Sequence, residues 1–445
     1  MLTINKIAAA LGFAPQQRDF EIKKVVTDSR QAEENCLFVS IEGERVDGHS
    51  FIPALSERFV NIAFLATKKA EKEIKQPYFL VEDALFALGL LAKAHLATLP
   101  TKVIGVTGSV GKTTTKNFIL SALAPAMQVS GTLGNMNNEL GVPLTGLAVK
   151  ETDWAAVIEM GMRGLGQIEY LTQFITPDIA VVTNIGVAHL ELLKSRVNIA
   201  RAKLELVDAL PAEGKALLNG DEPLLYGARP QKQCFYFGFS EHNDYRAVDV
   251  DGSSFILCYP DGSIDITLQV EGEHQIMNAL AAFGAGHLLG IEPRLLKQGL
   301  ESFAGDGRRQ FTERIGDITI IDDTYNASPD SMAAALKVLA AKPGRRIAVL
   351  GDMLELGAYE KQGHQEVAAQ CAALKIDAVV AIGSRAKVLY DALPEQMEKY
   401  CFSDRDAALP SLETLILPGD TVLFKASNSM GFDKLTAALK ERMGK

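Results

Sequence analysis

The sequence VIGVTGSVGKTTT, residues 103–115, decides how the rest of the chain is interpreted. Its apolar beginning, residues 103–106, predicts a short buried strand, and the apolar spacing over residues 116–123 predicts a helix. Gly108 and Gly111 lie between them and allow backbone N–H groups to turn toward an anion at the positive end of that helix. The stretch therefore predicts a phosphate-binding loop at the end of a parallel strand.

The residues that follow the glycines indicate that the bound phosphates belong to a nucleotide. Lys112 would reach the terminal phosphates, and a hydroxyl group from Thr113 or Thr114 would ligate Mg²⁺. The usual phosphate-loop pattern has a glycine where this chain has Val106, so the match is to a shortened G-x-x-G-K-T form. A glycine-rich turn between a strand and a helix, without a ligand, is the alternative interpretation.

Length and composition limit the classes of protein that need consideration. The chain has 445 residues, enough for roughly two to four domains with cores of their own. The formal charge of −10 argues against nonspecific nucleic-acid binding. The five cysteines are widely spaced and odd in number, which predicts neither a disulfide framework nor a zinc site. With no predicted signal peptide or membrane span, we expect a cytoplasmic protein.

The strand and helix patterns predict an α/β protein of three domains. Residues 1–98 predict a small α/β domain, and residues 99–310 predict a central parallel sheet that contains the phosphate loop. Alternating residues around 254–270 predict a β-hairpin appended to that sheet. Residues 311–445 predict a doubly wound, Rossmann-like domain with Asp322 and Asp323 just past its first strand.

Two residues of the predicted central domain fall at strand ends, where open α/β sheets bind ligands. Glu159 directly follows the strand predicted at 154–158, and His189 follows the strand predicted at 179–185. A carboxylate and an imidazole near a nucleotide phosphate are reasonable metal ligands. Each taken alone is also compatible with an ordinary polar residue at the end of a strand.

Lys203 lies in an unexpected position on a predicted helix over residues 195–210. The 100° spacing surrounds it with Ile199, Leu206 and Leu210 and places the charged residues on the opposite side. A buried lysine loses its charge and becomes a nucleophilic amine, which can capture CO₂ to form an anionic carbamate. The alternative is a lysine whose stem covers apolar surface while its amine reaches water.

The phosphate loop, followed in order by Glu159, His189 and Lys203, resembles the Mur ligase family of ATP-dependent amide-forming enzymes. The resemblance covers the whole chain and all three predicted domains. Further stretches at 28–30, 47–49, 135–143, 321–331 and 350–357 are similar to those of the members that add D-alanyl-D-alanine to UDP-N-acetylmuramoyl-tripeptide. A member that adds a single amino acid is the alternative, and a P-loop kinase or regulatory nucleotide-binding protein is a more distant one.

The resemblance implies a role for each matching residue. It implies contacts with ATP phosphates at Gly108, Ser109, Val110, Gly111, Lys112, Thr113 and Thr114. It implies Mg²⁺ ligands at Thr113, Glu159, His189 and a carbamylated Lys203, of which the last three act in catalysis with Lys112. It implies further nucleotide contacts at Asn278, Arg308, Asp323, Tyr325 and Asn326, and contacts with the UDP-sugar at Ser29, Arg30, Thr132, Asn135, Asn137 and Asn138.

The resemblance also implies a monomer that works through an acyl phosphate, with no nucleic-acid partner. Two positions depart from the family pattern. Asn428 stands where an arginine is usual, which affects one expected anchor for the incoming dipeptide. Gln167 stands where glutamate is more usual.

Overall fold

Three large, mainly parallel sheets follow one another along the chain. The computed structural model describes residues 2–43, 46–70, 72–228, 232–305 and 309–443. The predicted α/β class and the three-domain organisation are confirmed. The domain boundaries at 98/99 and 310/311 stay predictions, and each of the three large sheets lies within one of the predicted domains.

The first domain contains a four-stranded parallel sheet of order β3-β4-β5-β6, with a small pair β1-β2 beside it. Its strands are β1 (Leu2–Thr3), β2 (Glu21–Ile22), β3 (Lys24–Val26), β4 (Cys36–Val39), β5 (Ile62–Ala66) and β6 (Tyr78–Leu80), and its helices are α1 (Ile4–Ala10), α2 (Ile52–Arg58) and α3 (Ala84–Leu96). Every residue of β4 and β5 is buried. Continuous apolar runs of this kind are expected where helices and loops cover both faces of a parallel sheet.

The central domain is built on a nine-stranded sheet of order β15-β14-β13-β12-β11-β10-β7-β9-β8. Its strands are β7 (Lys102–Thr107), β8 (Val129–Gly131), β9 (Ala155–Glu159), β10 (Ile179–Val182), β11 (Lys215–Asn219), β12 (Gln233–Gly238), β13 (Tyr245–Asp251), β14 (Ser254–Tyr259) and β15 (Gly262–Thr267). Its helices are α4 (Lys112–Leu123), α5 (Gly141–Ala148), α6 (Gln167–Thr172), α7 (Leu190–Leu193), α8 (Arg196–Asp208), α9 (Pro223–Tyr226), α10 (Glu273–Leu288) and α11 (Pro293–Ser302).

The predicted hairpin is part of this large sheet. Strands β14 and β15 form an antiparallel pair, and β13 joins them to the parallel strands through β12. The sequence analysis did not predict β13, which has only a short alternating pattern before three exposed residues. The hairpin predicted at the central sheet is therefore present and extends that sheet by its edge.

Helix α4 begins at Lys112, four residues before the predicted start. Gly111 precedes it with φ +82°, a left-handed conformation that suits glycine. The β-branched residues Thr113 and Thr115 weaken the helical signal of the first turn. Behind the helix, a Cβ added at Gly299 of α11 would lie 2.1 Å from the Ser121 carbonyl oxygen, so α4 and α11 pack backbone against backbone.

The third domain contains a six-stranded sheet of order β16-β17-β21-β18-β19-β20, parallel except for β16. Its strands are β16 (Phe311–Ile315), β17 (Ile318–Asp322), β18 (Arg346–Gly351), β19 (Ala378–Ile382), β20 (Glu398–Phe402) and β21 (Thr421–Lys425). Its helices are α12 (Pro329–Ala340), α13 (Glu360–Ala373), α14 (Ala386–Ala392), α15 (Arg405–Leu415) and α16 (Phe432–Met443). The sequence analysis missed β16 and β20, the two edge strands.

Candidate active site

A cleft of about 630 Å³ lies between the phosphate loop of the central domain and the third domain. One wall contains residues 109–115, together with Glu159 and His189. The facing wall contains residues 323, 325–328, 330–331, 354–356, 425 and 427–429 of the third domain. The strand order explains this position, because β7 and its neighbours β9 and β10 are parallel and their carboxyl ends meet at one sheet edge.

The phosphate loop is held in shape by the end of the neighbouring strand β10. Asn184 Oδ1 accepts the backbone N–H groups of Ser109 and Val110 at 3.1 and 2.9 Å, and Asn184 Nδ2 donates to the Val110 carbonyl at 3.0 Å. The Thr183 hydroxyl donates to the same carbonyl at 2.7 Å. A Cβ at Gly108 would lie 1.8 Å from Thr183 Oγ1, so glycine is required for this close approach. Sequence reasoning assigned no role to Thr183 or Asn184.

Lys112 is folded back over the phosphate loop. Its Nζ donates to the Gly108 carbonyl at 2.9 Å. Burial lowers the pKa of the Lys112 amine, while the charge of Glu159 acts in the opposite direction. The lysine is therefore positioned to exchange a backbone carbonyl for a phosphate oxygen.

Glu159 lies at the centre of a hydrogen-bond network and is 1% exposed. Thr113 Oγ1 donates to its Oε2 at 2.6 Å, and Asn137 Nδ2 donates to its Oε1 at 2.7 Å. Thr132 is buried, and its hydroxyl accepts the Glu159 backbone N–H at 2.9 Å. Lys116 donates to the Thr132 carbonyl at 2.5 Å. The structure thus places Thr132 and Asn137, predicted contacts of the UDP-sugar, beside the Glu159 carboxylate.

Lys203 is 2% exposed, as the helical spacing predicted. Burial lowers the pKa of its amine well below the usual range, and the positive charge of Lys112 lowers it further. Burial likewise lowers the pKa of His189 to about 4, with smaller contributions from Lys112 and Lys203. The His189 imidazole is therefore neutral at pH 7, and burial favours the neutral form of the Lys203 amine.

Asn278, a predicted nucleotide contact, is hydrogen-bonded to the helix that follows the phosphate loop. Its Oδ1 accepts the Thr115 hydroxyl at 2.9 Å, and its Nδ2 donates to Gln275 Oε1 at 3.1 Å. Gln310 Oε1 lies 2.7 Å from His274 Nε2 and accepts Gln275 Nε2 at 3.0 Å. This network joins helix α10 to the connection that leads into the third domain, and sequence reasoning missed Gln275 and Gln310.

The third domain contributes polar and aromatic groups to the opposite wall of the cleft. Asp323 Oδ2 accepts Lys425 Nζ at 2.6 Å, and the Asn326 carbonyl accepts the same amine at 3.0 Å. The Arg309 guanidinium lies 3.7 Å from the centroid of the Tyr325 ring, within range of a cation–π interaction. Arg308, predicted to contact the nucleotide, lies outside the described residues.

The predicted UDP-sugar residues of the first domain lie in an exposed turn. Asp28 caps the short 3₁₀ helix Ser29–Gln31 and forms an ion pair with Arg30 at 2.6 Å. Asn135 and Asn138 are exposed in the loop before α5, and Asn138 Oδ1 accepts the Gly141 backbone N–H. Strand β3, which precedes the Ser29 turn, packs against α5. The two groups of residues thus belong to neighbouring elements of different domains.

The two departures from the family pattern have definite positions. Gln167 Oε1 accepts the backbone N–H groups of Arg163 and Gly164 at 2.5 and 3.2 Å. A glutamate would accept the same two bonds, so this substitution preserves the local structure. Asn428 lines the cleft, as do its chain neighbours Ser427 and Ser429.

The donor set at Thr113 and Glu159 fits Mg²⁺. Among the described residues no three His, Cys, Asp or Glu side chains are grouped as a complete metal site. Mg²⁺, however, is commonly held by one or two carboxylates together with substrate phosphates and water. A hydroxyl and a carboxylate 2.6 Å apart beside a phosphate loop meet that requirement.

Three sequence profiles of one family match this chain. The Mur ligase family catalytic domain matches residues 21–95, the Mur ligase middle domain residues 106–286, and the Mur ligase glutamate ligase domain residues 307–428. The chain belongs to the Mur ligase family. This Mur ligase is 39% identical over 435 residues to the UDP-N-acetylmuramoyl-tripeptide--D-alanyl-D-alanine ligase of Bacillus subtilis (strain 168). The alignment covers 96% of this chain and 95% of that ligase.

Solved structures agree with the sequence matches. A crystal structure of MurF from Acinetobacter baumannii superposes on this Mur ligase with a TM-score of 0.91, at 32% identity and 98% coverage of both chains. MurF from Thermotoga maritima in complex with ADP superposes with a TM-score of 0.83, at 29% identity, 94% coverage of this chain and 97% of that chain. The helices within the described ranges include none with the length and apolar character needed to cross a membrane.

Proposed function

We propose that this Mur ligase joins D-alanyl-D-alanine to UDP-N-acetylmuramoyl-tripeptide, with ATP converted to ADP and phosphate. The observation that carries the proposal is the cleft itself, where Lys112, Thr113 and Glu159 face the Rossmann-like third domain. The near full-length similarity to ligases named for this reaction and the ADP complex of a similar structure support it.

The phosphate loop is the proposed site of ATP. Backbone N–H groups at the start of α4 and the Lys112 amine would bind the phosphates, since a helix N-terminus favours an anion. Thr113 and Glu159 would hold Mg²⁺, which when bound neutralises phosphate charge during transfer. His189 and Lys203 would hold a second Mg²⁺, with Lys203 supplying an anionic ligand as a carbamate.

The proposed reaction passes through an acyl phosphate of the tripeptide. The tripeptide carboxylate attacks the γ-phosphorus, the bond to the β–γ bridging oxygen breaks, and Lys112 offsets the charge that develops as ADP leaves. The free amine of D-alanyl-D-alanine then attacks the carbonyl carbon of the acyl phosphate. The tetrahedral intermediate expels phosphate, and the amine proton is lost as the amide forms.

The other predicted site residues would position the two nucleotide-containing substrates. Asn278, Asp323, Tyr325 and Asn326 would contact the nucleoside of ATP, together with Arg308. Ser29, Arg30, Asn135 and Asn138 would contact the UDP-sugar, whereas Thr132 and Asn137 would act through Glu159. The third domain excludes water that would hydrolyse the acyl phosphate.

The test is phosphate release from ATP and Mg²⁺ in the presence of UDP-N-acetylmuramoyl-tripeptide. We expect release to depend on D-alanyl-D-alanine and the amide product to have the mass of the dipeptide adduct. Release with a single amino acid only would assign the chain to the alternative Mur ligase activity. If neither acceptor supports phosphate release, the ligase proposal is rejected.

A further inference from the structure

The segment of residues 183–189, which we call the bridging segment, connects strand β10 to helix α7. At its start, Thr183 and Asn184 bind the phosphate-loop backbone, as described above. At its end, His189 lines the active-site cleft. A displacement of this segment would therefore move the phosphate loop and the imidazole together.

Side chains of the central domain hold the first part of the bridging segment. Asn219 Nδ2 donates to the Thr183 carbonyl at 2.9 Å. Arg196 Nη2 donates to the Ile185 carbonyl at 2.7 Å and also to Glu222 Oε2 at 2.7 Å. These bonds hold the segment from one side as far as Ile185.

The next two residues are held by the third domain. The Val187 side chain packs against the core that contains Met332, Leu336 and Leu356. Burial raises the pKa of the Asp330 carboxyl, and the nearby Val187 backbone N–H opposes this shift. A Cβ added at Gly186 would lie 2.4 Å from Asp330 Oδ2 and 3.2 Å from the Ser109 Cβ. Asp330 therefore lies directly against the segment, with the phosphate loop on its other side.

We propose that Asp330 is a positioning residue which, when the third domain docks, fixes the bridging segment and through it both the phosphate loop and His189. Its carboxylate supplies an acceptor for Val187, and its contact with Gly186 sets the distance between the domains. Asp330 occupies the second position of helix α12, after the N-cap Ser328 and Pro329, so the helix start aims it at the central domain.

This link would make phosphoryl transfer depend on docking of the third domain against the central domain. Asn184 is the connecting group, because it binds the phosphate loop and lies two residues from the Gly186 contact. The catalytic part of this inference rests on the proposed function. The positioning contact itself does not, since it consists of atoms of this chain alone.

The first test measures hydrogen exchange of the Val187 amide in the full chain without substrates. We expect Asp330→Ala to accelerate this exchange about tenfold, the effect of losing one charge-assisted hydrogen bond, while Asp330→Asn is affected less. Asp406→Ala is the matched control, because Asp406 also occupies the second position of a third-domain helix but is 88% exposed. Unchanged Val187 exchange in Asp330→Ala would overturn the proposal.

The second test uses the close approach at Gly186. Gly186→Ala should reduce kcat about 10- to 100-fold with a smaller effect on the KM for ATP, because a displaced segment misplaces reacting groups. Removing the clashing carboxylate in Gly186→Ala/Asp330→Ala should restore part of this loss, whereas Gly164→Ala, which meets no atom within 4 Å, should be neutral.

The outcomes separate the inference from the proposed function. No restoration in the double variant would contradict the Gly186–Asp330 contact. If Gly186→Ala fails to fold, the exchange comparison between Asp330→Ala and Asp406→Ala decides alone. If the exchange result is as expected but no acceptor supports turnover, the positioning contact stands and the proposed reaction is rejected.

Discussion

The hydroxyl of Thr113 and the carboxylate of Glu159 lie 2.6 Å apart although 46 residues separate them in the chain. They meet because β7 and β9 are adjacent parallel strands, and Val106 pairs with Glu159 in their register. Thr113 is the second residue of the helix that follows β7, so its hydroxyl lies at the same sheet edge.

Asn137→Ala should weaken the response of the ligase to Mg²⁺. The Asn137 amide orients Glu159 through a 2.7 Å hydrogen bond, and loss of such support typically costs about 10- to 100-fold in metal affinity. The measurement is Mn²⁺ binding in the presence of ADP, followed by the Mg²⁺ dependence of phosphate release. Asn135→Ala, at an exposed neighbour, should instead alter the KM for the UDP substrate. Equal metal binding by Asn137→Ala and the unaltered protein would contradict this assignment.

His189 should make the folded protein sensitive to acid. Burial holds the pKa of His189 at about 4, below its ordinary value of 6.5. Between these values the unfolded chain binds a proton that the folded chain does not, so stability falls as the pH decreases from 6.5 to 4. Relative to His189→Gln, we expect an additional loss of at most about 3 kcal/mol over this range. Denaturation curves at several pH values, with an NMR titration of the ring, provide the measurement. Parallel losses in the two proteins would show that the imidazole does not have this low pKa.

Lys203→Ala should lose most activity and regain part of it with added short carboxylic acids. The amine lies in an apolar environment where the neutral, CO₂-reactive form is favoured, and a small carboxylate can take the place of the carbamate. Phosphate release is measured with increasing acetate or formate. Lys194→Ala, at an exposed lysine before the same helix, is the control and should show no response to either acid. Absence of rescue in a folded Lys203→Ala protein would favour a purely structural lysine.

Gly299→Ala should destabilise the central domain by about 1–3 kcal/mol, since the added methyl group would collide with the backbone of α4 at Ser121 and Ala122. Main-chain atoms cannot rotate away from the added methyl group as a side chain can. Removing the clash therefore requires a shift of helix α4, which follows the phosphate loop. Chemical denaturation and the KM for ATP should therefore change together. Gly164→Ala is the control, and equal stability of the two variants would show that α11 adjusts without strain.

The sequence predicted the elements that have strong periodicity and those that follow a glycine motif. The apolar stripe around Lys203 correctly predicted its burial, and the strand ends correctly brought Glu159 close to the phosphate loop. The edge strands Phe311–Ile315 and Glu398–Phe402 were missed because their charged and exposed residues interrupt the pattern of a buried strand. Partners fixed by packing between distant elements, such as Asn184 with Val110 or Asp330 with Gly186, leave no local signal in one sequence.

The shared walls of the cleft have a consequence for inhibition. A small molecule that fills the cleft, whose volume is about 630 Å³, would contact both the central and the third domain. It would thereby fix the distance between the two domains. Such a compound would slow turnover by preventing relative movement of the domains as well as by occupying a substrate site. Resistance substitutions would then arise on either wall, including positions such as Asn428 that lie far in the chain from the phosphate loop.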